Sequence, residues 1–187
     1  MDHAINDTEL LSQIAAGEQS AVRTLYARHQ LRIFRFIMRK TGNEATAEEL
    51  TNEVFLEIWR HAGKFEGRSA ASTWMLSIAH NRTVSLLRRR SEAQLDEGVA
   101  EEIADEADTP ETTSSKRGKG EQIRACMELL TPDHREIIDL VYYHEKSISE
   151  ISEVLDIPEG TVKTRMFHAR KKLGEILREA GVDRGWP

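Results

Sequence analysis

The stretch Ser147–Leu173, SISEISEVLDIPEGTVKTRMFHARKKL, decides the fold of the C-terminal part of the chain. Ile148, Ile151 and Leu155 recur at helical spacing and predict a short helix with one apolar face. Residues 156–158, Asp-Ile-Pro, interrupt that helix, and a second helical pattern starts directly after them. Two short helices joined by a tight turn predict a helix-turn-helix.

The second helix of this pair has one apolar and several basic faces. Its predicted buried stripe is Val162, Met166, Ala169 and Leu173, and no acidic residue occurs between Gly160 and Leu173. Such a helix suits the major groove of DNA, where its first half meets base edges and its cations meet phosphates. A solvated cationic helix in an ordinary bundle is the alternative. The predicted DNA-contacting residues are Thr161, Lys163, Thr164, Arg165, Phe167, His168, Arg170, Lys171 and Lys172.

The segment EISEVLDIPEGTVKTRMFHARKKL resembles region 4 of the extracytoplasmic-function (ECF) sigma factors, which reads the minus-35 promoter element. The preceding LTPDHREIIDLVYYHEKSISE resembles the first half of the same region. Asp156 stands where the family usually has glycine, and Asp tolerates the left-handed conformation better than most residues, so the turn is expected to survive. His168 stands where the family often has arginine, which leaves the base preference open at that position.

Upstream, the segment AEELTNEVFLEIW, residues 47–59, resembles region 2.2 of the same family. The resemblance implies a helix that docks on the clamp of the polymerase β′ subunit. Leu50, Val54 and Ile58 form its predicted inward stripe, while Phe55 and Trp59 could serve equally as core residues. The residues implied to bind core polymerase are Glu49, Asn52, Glu53, Phe55 and Trp59.

The next segment, KFEGRSAASTWMLSIAHNR, residues 64–82, resembles regions 2.3 and 2.4, which melt and read the minus-10 element. A loop of small residues with hydroxyl donors can hold an unstacked base, and aromatic rings can fill the gap in the stack. The cationic cluster Arg88–Arg90 could contact phosphate or only compensate the helix dipole, and Trp74 is expected in the core. The implied minus-10 residues are Arg68, Ser69, Ser72, Thr73, His80, Asn81, Arg82, Arg88 and Arg89.

The sequence predicts an all-α chain of two small helical domains joined by a flexible acidic linker. Residues 1–90 form the first domain, residues 91–121 the linker, and residues 122–187 the helix-turn-helix domain. The linker carries ten acidic and three basic side chains and no aromatic residue, so it buries too little surface to offset its ordering entropy. No sustained period-two alternation predicts a sheet, and two modest cores are expected.

Several classes of function are excluded by what the sequence lacks. Its single cysteine, Cys126, excludes an intramolecular disulfide and a thiol-based zinc cage. Phosphate-loop, dinucleotide and nucleophile-elbow motifs are absent, so neither an enzyme nor a metal or cofactor site is expected. The sequence shows no secretory signal and no apolar run that could span a bilayer, so a cytoplasmic protein without membrane insertion is expected.

Two family motifs in the right order point to one function more strongly than either motif alone. They predict an alternative sigma factor that binds core RNA polymerase, through its β′ clamp and β flap, and directs initiation at promoter DNA. The resemblance also implies an anti-sigma factor and a stress or envelope response. The alternative is a stand-alone helix-turn-helix regulator, which would bind duplex DNA without polymerase, usually as a dimer.

Overall fold

The structure, a computed structural model, describes residues 5–96 and 119–182. Within these ranges the chain forms eight α-helices, one short 3-10 turn and no strand, which confirms the all-helical prediction. The N-terminal unit comprises α1 (Asp7–Ala15), α2 (Gln19–Thr41), α3 (Glu44–His61), the 3-10 turn (Ala62–Lys64) and α4 (Ala71–Asp96). The C-terminal unit comprises α5 (Lys119–Glu128), α6 (Pro132–Tyr142), α7 (Ile148–Leu155) and α8 (Glu159–Glu179).

Four of the eight described α-helices, α1, α3, α6 and α7, begin at a side chain that accepts a hydrogen bond from the first turn. At α1 the cap is Asn6, which forms a reciprocal capping box with Glu9. Thr131 caps α6, with proline in the first turn of that helix. Helix α2 has no such cap, since it begins at Gln19 and the side chain of Glu18 before it makes no capping hydrogen bond.

Helix α4 is longer than the sequence predicted. It starts at Ala71 and continues to Asp96, past the predicted end at Arg90, because residues 91–96 include good helix formers. An ion pair between Arg88 and Glu92, 3.6 Å apart, supports this extension. Helix α5 likewise begins at Lys119, inside the predicted linker. The rest of that linker, residues 97–118, lies outside the described residues.

The turn between α7 and α8 depends on one residue in the left-handed region. Asp156 has φ 52° and ψ 47° and ends α7, and its backbone N–H donates to the carbonyl of Ser152. The hydroxyl of Ser152 donates in turn to the carbonyl of Ile157 at 2.6 Å. The expectation that the turn survives aspartate at this position is therefore confirmed, and the two helices form the predicted helix-turn-helix.

The core divides differently from the prediction of one core in each unit. The smaller cluster lies between α5, α6 and α8 and includes Cys126 and Leu173. The larger cluster fills the N-terminal unit and extends into the other unit, because α7 packs on α4 and α6 packs on α2. Its members from the C-terminal unit are Ile137, Leu140, Ile151, Val154, Leu155 and Val162. The two units therefore share a hydrophobic core.

Among the helices of the described ranges, none combines the length and the apolar character needed to cross a membrane.

Candidate nucleic-acid interface

Helix α8 presents the basic face that the sequence predicted. Val162, Ala169 and Leu173 are buried and Met166 is half-buried, so the apolar stripe lies inward as expected. Phe167 is 65% exposed on the opposite side of the helix, unusually open for a large apolar ring. Lys163, Thr164, His168, Arg170, Lys171 and Lys172 are also exposed, and Thr161 is half-buried.

Two basic residues of α8, Arg165 and Arg170, contact α6. Nη1 of Arg165 lies 3.0 Å from Oδ2 of Asp133 on α6, and its side chain is half-buried. The guanidinium of Arg170 lies 5.6 Å from the centre of the Tyr142 ring, also on α6. These contacts fix how α8 sits on α6, while the outward side of α8 stays open to a ligand.

Helix α3 presents four of the five predicted polymerase-binding residues on one exposed face. Glu49, Asn52, Glu53 and Trp59 fall on this face, and Trp59 is 49% exposed. Leu56 is exposed between them and was missed by the sequence analysis, although its spacing from Glu49 and Glu53 could have revealed it. We call these five residues the α3 face.

Phe55, the remaining residue predicted to contact polymerase, lies in the core instead. It is 6% exposed, and its ring centre lies 4.7 Å from that of Tyr26 on α2. The three-residue stripe expected for α3 was too narrow, because α2 also covers the neighbouring side of this helix. Trp74 is half-buried against the larger cluster, 5.4 Å from the ring of Phe65, as expected.

Five of the nine predicted minus-10 residues are exposed: Arg68, Asn81, Arg82, Arg88 and Arg89. Arg68 pairs with Glu66 at 2.5 Å in the loop before α4. Arg82 pairs with Glu57 of α3. These ion pairs lie at the surface, where such contacts contribute little and yield to a stronger partner.

The other four predicted minus-10 residues face the C-terminal unit. Ser69 donates to Oε1 of Glu153 at 2.6 Å, and Thr73 donates to Oε1 of Glu150 at 2.7 Å. Nζ of Lys146 donates to the Ser72 hydroxyl at 2.7 Å, and also to Thr73 and Glu150. The structure thus gathers Ser69, Ser72, Thr73 and His80 against α6 and α7.

Two buried carboxylates of α6 complete this contact. Oε1 of Glu136 lies 2.6 Å from Nζ of Lys40 and 2.8 Å from Nδ1 of His80, so the imidazole can donate when Nδ1 carries a proton. Asp139 pairs with Arg39 of α2. Glu136 and Asp139 are only 7% and 2% exposed, so each carboxylate gives up hydration for these cationic partners.

Asp139 also lies close to a buried histidine of its own unit, His144. Nε2 of His144 lies 3.4 Å from Oδ2 of Asp139, close enough for electrostatic attraction but without hydrogen-bond alignment. The His144 ring meets that of Phe36 edge to face, with centroids 5.6 Å apart. Arg39 also stacks over the Tyr143 ring at 4.0 Å. Polar and aromatic contacts thus join α2 to the C-terminal unit.

Two carboxylates at this contact, Glu136 and Glu150, have lowered pKa values and are held ionised. Burial alone would raise the pKa of Glu136, but the hydrogen bond from His80 and the charge of Lys40 outweigh it and lower the pKa. At Glu150 burial again acts upward, whereas hydrogen bonds from Thr73, Ser147 and Lys146 lower the pKa to about 2. Both side chains therefore accept hydrogen bonds as anions across or beside the junction of the two units.

This protonation behaviour predicts that acid destabilises the fold. Because the folded-state pKa of Glu150 is depressed, its contribution is present above its unfolded pKa of about 4.3 and is lost as pH falls toward 2. We expect the melting temperature, followed by circular dichroism, to fall between pH 5 and pH 2.5, and Glu150→Gln to flatten that fall. Glu179→Gln, an exposed change on α8, is the matched control. Equal slopes for wild type and Glu150→Gln would contradict this assignment.

Two family models match the chain over most of the described helices. The model of Sigma-70 region 2 matches residues 25–93, and that of Sigma-70, region 4 matches residues 120–173. The solved structure of CnrH in complex with the cytosolic domain of CnrY shares the fold, with a TM-score of 0.66 and 23% identity, over 92% of this chain and 97% of CnrH. The sigma factor RpoE from Bartonella quintana, solved with the anti-sigma factor NepR, matches with a TM-score of 0.67 and 24% identity. The match covers 83% of this chain and 96% of RpoE.

Curated relatives match 90% or more of the chain. The ECF RNA polymerase sigma factor SigK of Mycobacterium tuberculosis H37Rv is 28% identical over 172 residues, covering 90% of this chain and 91% of SigK. SigL of Mycobacterium tuberculosis strain Erdman, also an ECF RNA polymerase sigma factor, is 31% identical over 180 residues, covering 93% of this chain and 98% of SigL. With both sigma-70 regions present in order, the chain belongs to the ECF RNA polymerase sigma factors of the sigma-70 family.

Proposed function

We propose that this alternative sigma factor divides its work among three surfaces: α8 for the minus-35 element, the α4 region for the minus-10 element, and the α3 face for core polymerase. The observation that carries the proposal is the outward face of α8, which is basic and open while its inner stripe is buried. The left-handed residue Asp156 ends α7 and allows the tight turn from which α8 starts, as a helix-turn-helix requires.

At the minus-35 element, α8 lies in the major groove. Thr164 and His168 point outward near its N-terminal half and can bond to base edges, while Lys163 and Lys171 can neutralise phosphates. The exposed ring of Phe167 fits contact with the methyl group of a thymine, the one apolar feature that the major groove displays. Arg165, held by Asp133, acts through the orientation of α8 as well as by its charge.

At the minus-10 element, the loop before α4 and the first turns of α4 capture single-stranded bases. Small side chains with hydroxyl groups, such as Ser69 and Ser72, leave room for a flipped base and offer hydrogen bonds to it. Asn81 and Arg82 lie further along α4 on an exposed face, and Arg88 and Arg89 extend the cationic track toward its end. Captured bases then replace the stacking that the duplex loses.

Core polymerase binds the α3 face. Trp59 and Leu56 offer exposed apolar surface beside the polar Asn52 and Glu53, the mixture typical of a binding hot spot with a polar rim. RNA synthesis itself belongs to the polymerase, and a factor that works on polymerase and chromosomal promoters acts in the cytoplasm. Region 4 contacts the β flap of the polymerase in this proposal.

An anti-sigma factor is the expected regulator of this protein. RpoE from Bartonella quintana, which shares the fold, was solved with the anti-sigma factor NepR, and CnrH was solved with the cytosolic domain of CnrY. We infer that a comparable partner holds this chain inactive until a stress or envelope signal releases it.

The test is transcription with purified core RNA polymerase that lacks any sigma factor, using a pool of random promoter fragments. The full chain should bind core and initiate from a defined subset of fragments, whose alignment gives the minus-35 and minus-10 sequences. Asn52→Ala with Glu53→Ala should reduce core binding, whereas Ile5→Ala, an exposed change before α1, serves as the control. Tight duplex binding without any effect on polymerase would favour the stand-alone regulator instead.

A further inference from the structure

A small cationic cavity lies where α2, α4 and the loop between α6 and α7 meet. Five of the residues that line it are basic or carry a hydroxyl group: His29, Arg32, Ser72, His144 and Lys146. The rest of its wall is apolar, and no acidic residue of the described chain lines it. We propose that this cavity binds a phosphoryl group, either as free inorganic phosphate or at the end of a phosphorylated metabolite. The site goes beyond the promoter and polymerase surfaces assigned above and shares only Ser72 with them.

The cavity is large enough for one small anion. Its volume is about 20 Å³, compared with roughly 10–15 Å³ for a cavity that holds one water molecule, and it opens partly to solvent. Pockets that enclose a drug-sized ligand measure about 300–1,000 Å³. A phosphoryl group therefore fits inside, while any organic group attached to it stays outside in solvent.

Arg32 gives the cavity a positive charge that no carboxylate of the described chain neutralises. Its side chain is exposed, and it forms neither an ion pair nor a hydrogen bond with the described residues. Arg28 and Arg39 lie on the same side of α2, but each already pairs with an aspartate. A guanidinium offers several N–H donors in one plane and can bind two phosphate oxygens at once. Arg32 is therefore available to hold the ligand.

Ser72 and Lys146 add a second donor beside a buried charge. The side chain of Lys146 is 7% exposed, and its Nζ donates to the hydroxyls of Ser72 and Thr73 at 2.7 and 2.9 Å. It donates to Glu150 as well, at 3.0 Å, so all three N–H groups are used and Lys146 contributes only its charge to the cavity. The Ser72 hydroxyl accepts from Lys146 but keeps its own proton free within the described chain. That proton can be donated to an oxygen of the ligand.

Two histidines complete the basic lining. Nε2 of His29 lies 2.7 Å from Oδ2 of Asp7, so it can donate to that carboxylate while the other ring nitrogen takes up a second proton. Nε2 of His144 is buried and has no hydrogen-bond partner within the described chain, although Asp139 lies 3.4 Å away. A nearby anion favours the charged form of an imidazole. Both rings can therefore become cations when a phosphoryl group binds, with an aspartate beside each of them to stabilise the charge.

A phosphoryl group matches this lining better than other small anions do. Basic and hydroxyl groups come from α2, α4 and the α6–α7 loop, and the three or more oxygens of a phosphoryl group can accept from different directions. Chloride presents one atom, and a carboxylate presents two oxygens in one plane. The apolar part of the wall lowers the local dielectric, which strengthens the attraction between these cations and a doubly charged ligand. Because the ligand would contact region 2 and region 4 at once, its binding stabilises their packing.

The test is a titration of the full-length protein with sodium phosphate, followed by amide NMR signals and by the melting temperature. Sodium chloride at matched ionic strength separates specific binding from screening of surface charge. The key variant is Arg32→Gln, and Arg35→Gln is its matched control. Both arginines are exposed on α2 without an ion pair to the described residues, but Arg35 does not line the cavity. Ser72→Ala probes the hydroxyl donor, and adenosine monophosphate replaces phosphate in a parallel titration.

We expect phosphate to bind wild type and Arg35→Gln equally and to shift the amide signals of Arg32, Ser72 and Lys146. At ten times the Kd the melting temperature should rise by about 3–5 °C, as linkage between binding and folding requires. Arg32→Gln should bind roughly tenfold more weakly, and Ser72→Ala about threefold more weakly. Adenosine monophosphate binding as tightly as phosphate would identify a phosphorylated metabolite as the source of the group, and binding of phosphate alone would identify the free ion.

Three results would overturn this assignment. One is an equal response to phosphate and to chloride, and another is equal phosphate binding by wild type and Arg32→Gln. The third is binding of a single-stranded oligonucleotide that Arg32→Gln weakens, with no response to phosphate, which would make Arg32 a contact of the DNA backbone. None of these measurements uses polymerase, so specific initiation by the holoenzyme tests the proposed function separately.

Discussion

Replacing Trp59 with alanine is expected to weaken the complex with core RNA polymerase by roughly 30-fold or more. The indole is 49% exposed at one end of the α3 face, with Leu56 and Glu53 beside it. Exposed tryptophans at interface centres commonly contribute 2 kcal/mol or more when truncated, and a change of 1.4 kcal/mol is a factor of ten in affinity. Biolayer interferometry with immobilised core polymerase measures this change directly.

The matched control for Trp59→Ala is Phe55→Leu, which changes a neighbouring aromatic residue of α3 that lies in the core. It should lower the melting temperature but leave polymerase affinity within about twofold, because the ring packs on Tyr26 and not at the surface. Trp59→Ala should show the opposite pattern. Equal affinity of wild type and Trp59→Ala for core would remove the α3 face as the docking surface.

The second large effect is expected on α8. Phe167→Ala should reduce initiation at promoters with the preferred minus-35 element by roughly tenfold to a hundredfold, because one lost base contact costs about 1–3 kcal/mol. Lys171→Ala should weaken initiation by about the same factor at every promoter sequence. It should also make initiation less dependent on salt concentration, as expected when a phosphate contact is lost. Initiation is measured on a promoter series that varies one base of the minus-35 element at a time.

Arg178→Ala is the control for charge, since it removes one cation from the last turn of α8, away from its N-terminal half. It should leave both promoter strength and base preference nearly unchanged. If Phe167→Ala kept the full preference for every base, the thymine contact proposed for its ring would be wrong, even if overall initiation declined.

The helices of this protein could be predicted from sequence because their signals are local. Periodic apolar residues, the Thr131-Pro132 start of α6 and the Asp-Ile-Pro break after α7 act within a few residues of the chain. The buried stripe of α8 was predicted correctly for the same reason. The predicted end of α4 was wrong because residues 91–96 are mostly polar, and polarity alone does not separate a solvated helix from a linker.

The contact between the two regions could not be predicted, since the residues that pair across it, such as Arg39 with Asp139, lie about a hundred residues apart in the sequence. Glu136 and Asp139 look like ordinary carboxylates on a polar helix face, and only the presence of Lys40 and Arg39 makes their burial possible. The candidate site shows the same limit. The sequence identified Ser69, Ser72, Thr73 and His80, but not that carboxylates of region 4 would bond to them.

The burial of Phe55 shows how helix geometry decides a residue's role. A helix packed against a single neighbour buries a narrow stripe, whereas α3 contacts α2, α4 and α1 and buries a broader one. Leu56, one residue further, is exposed although it is as apolar as its buried neighbours. Residue type alone could not separate the two.

The core shared between α4 and α7 has a consequence for how long an idle molecule survives in the cell. While the two regions are closed, Ile137, Leu140 and Ile151 are sealed from solvent. Degradation of a folded protein follows the population of its opened forms. A molecule in which the two regions are packed together is therefore a poor substrate for quality-control proteases, even when it is not bound to polymerase. A molecule that opens away from polymerase shows these side chains to proteases and chaperones. Packing of α7 on α4 is therefore expected to slow the degradation of the free protein.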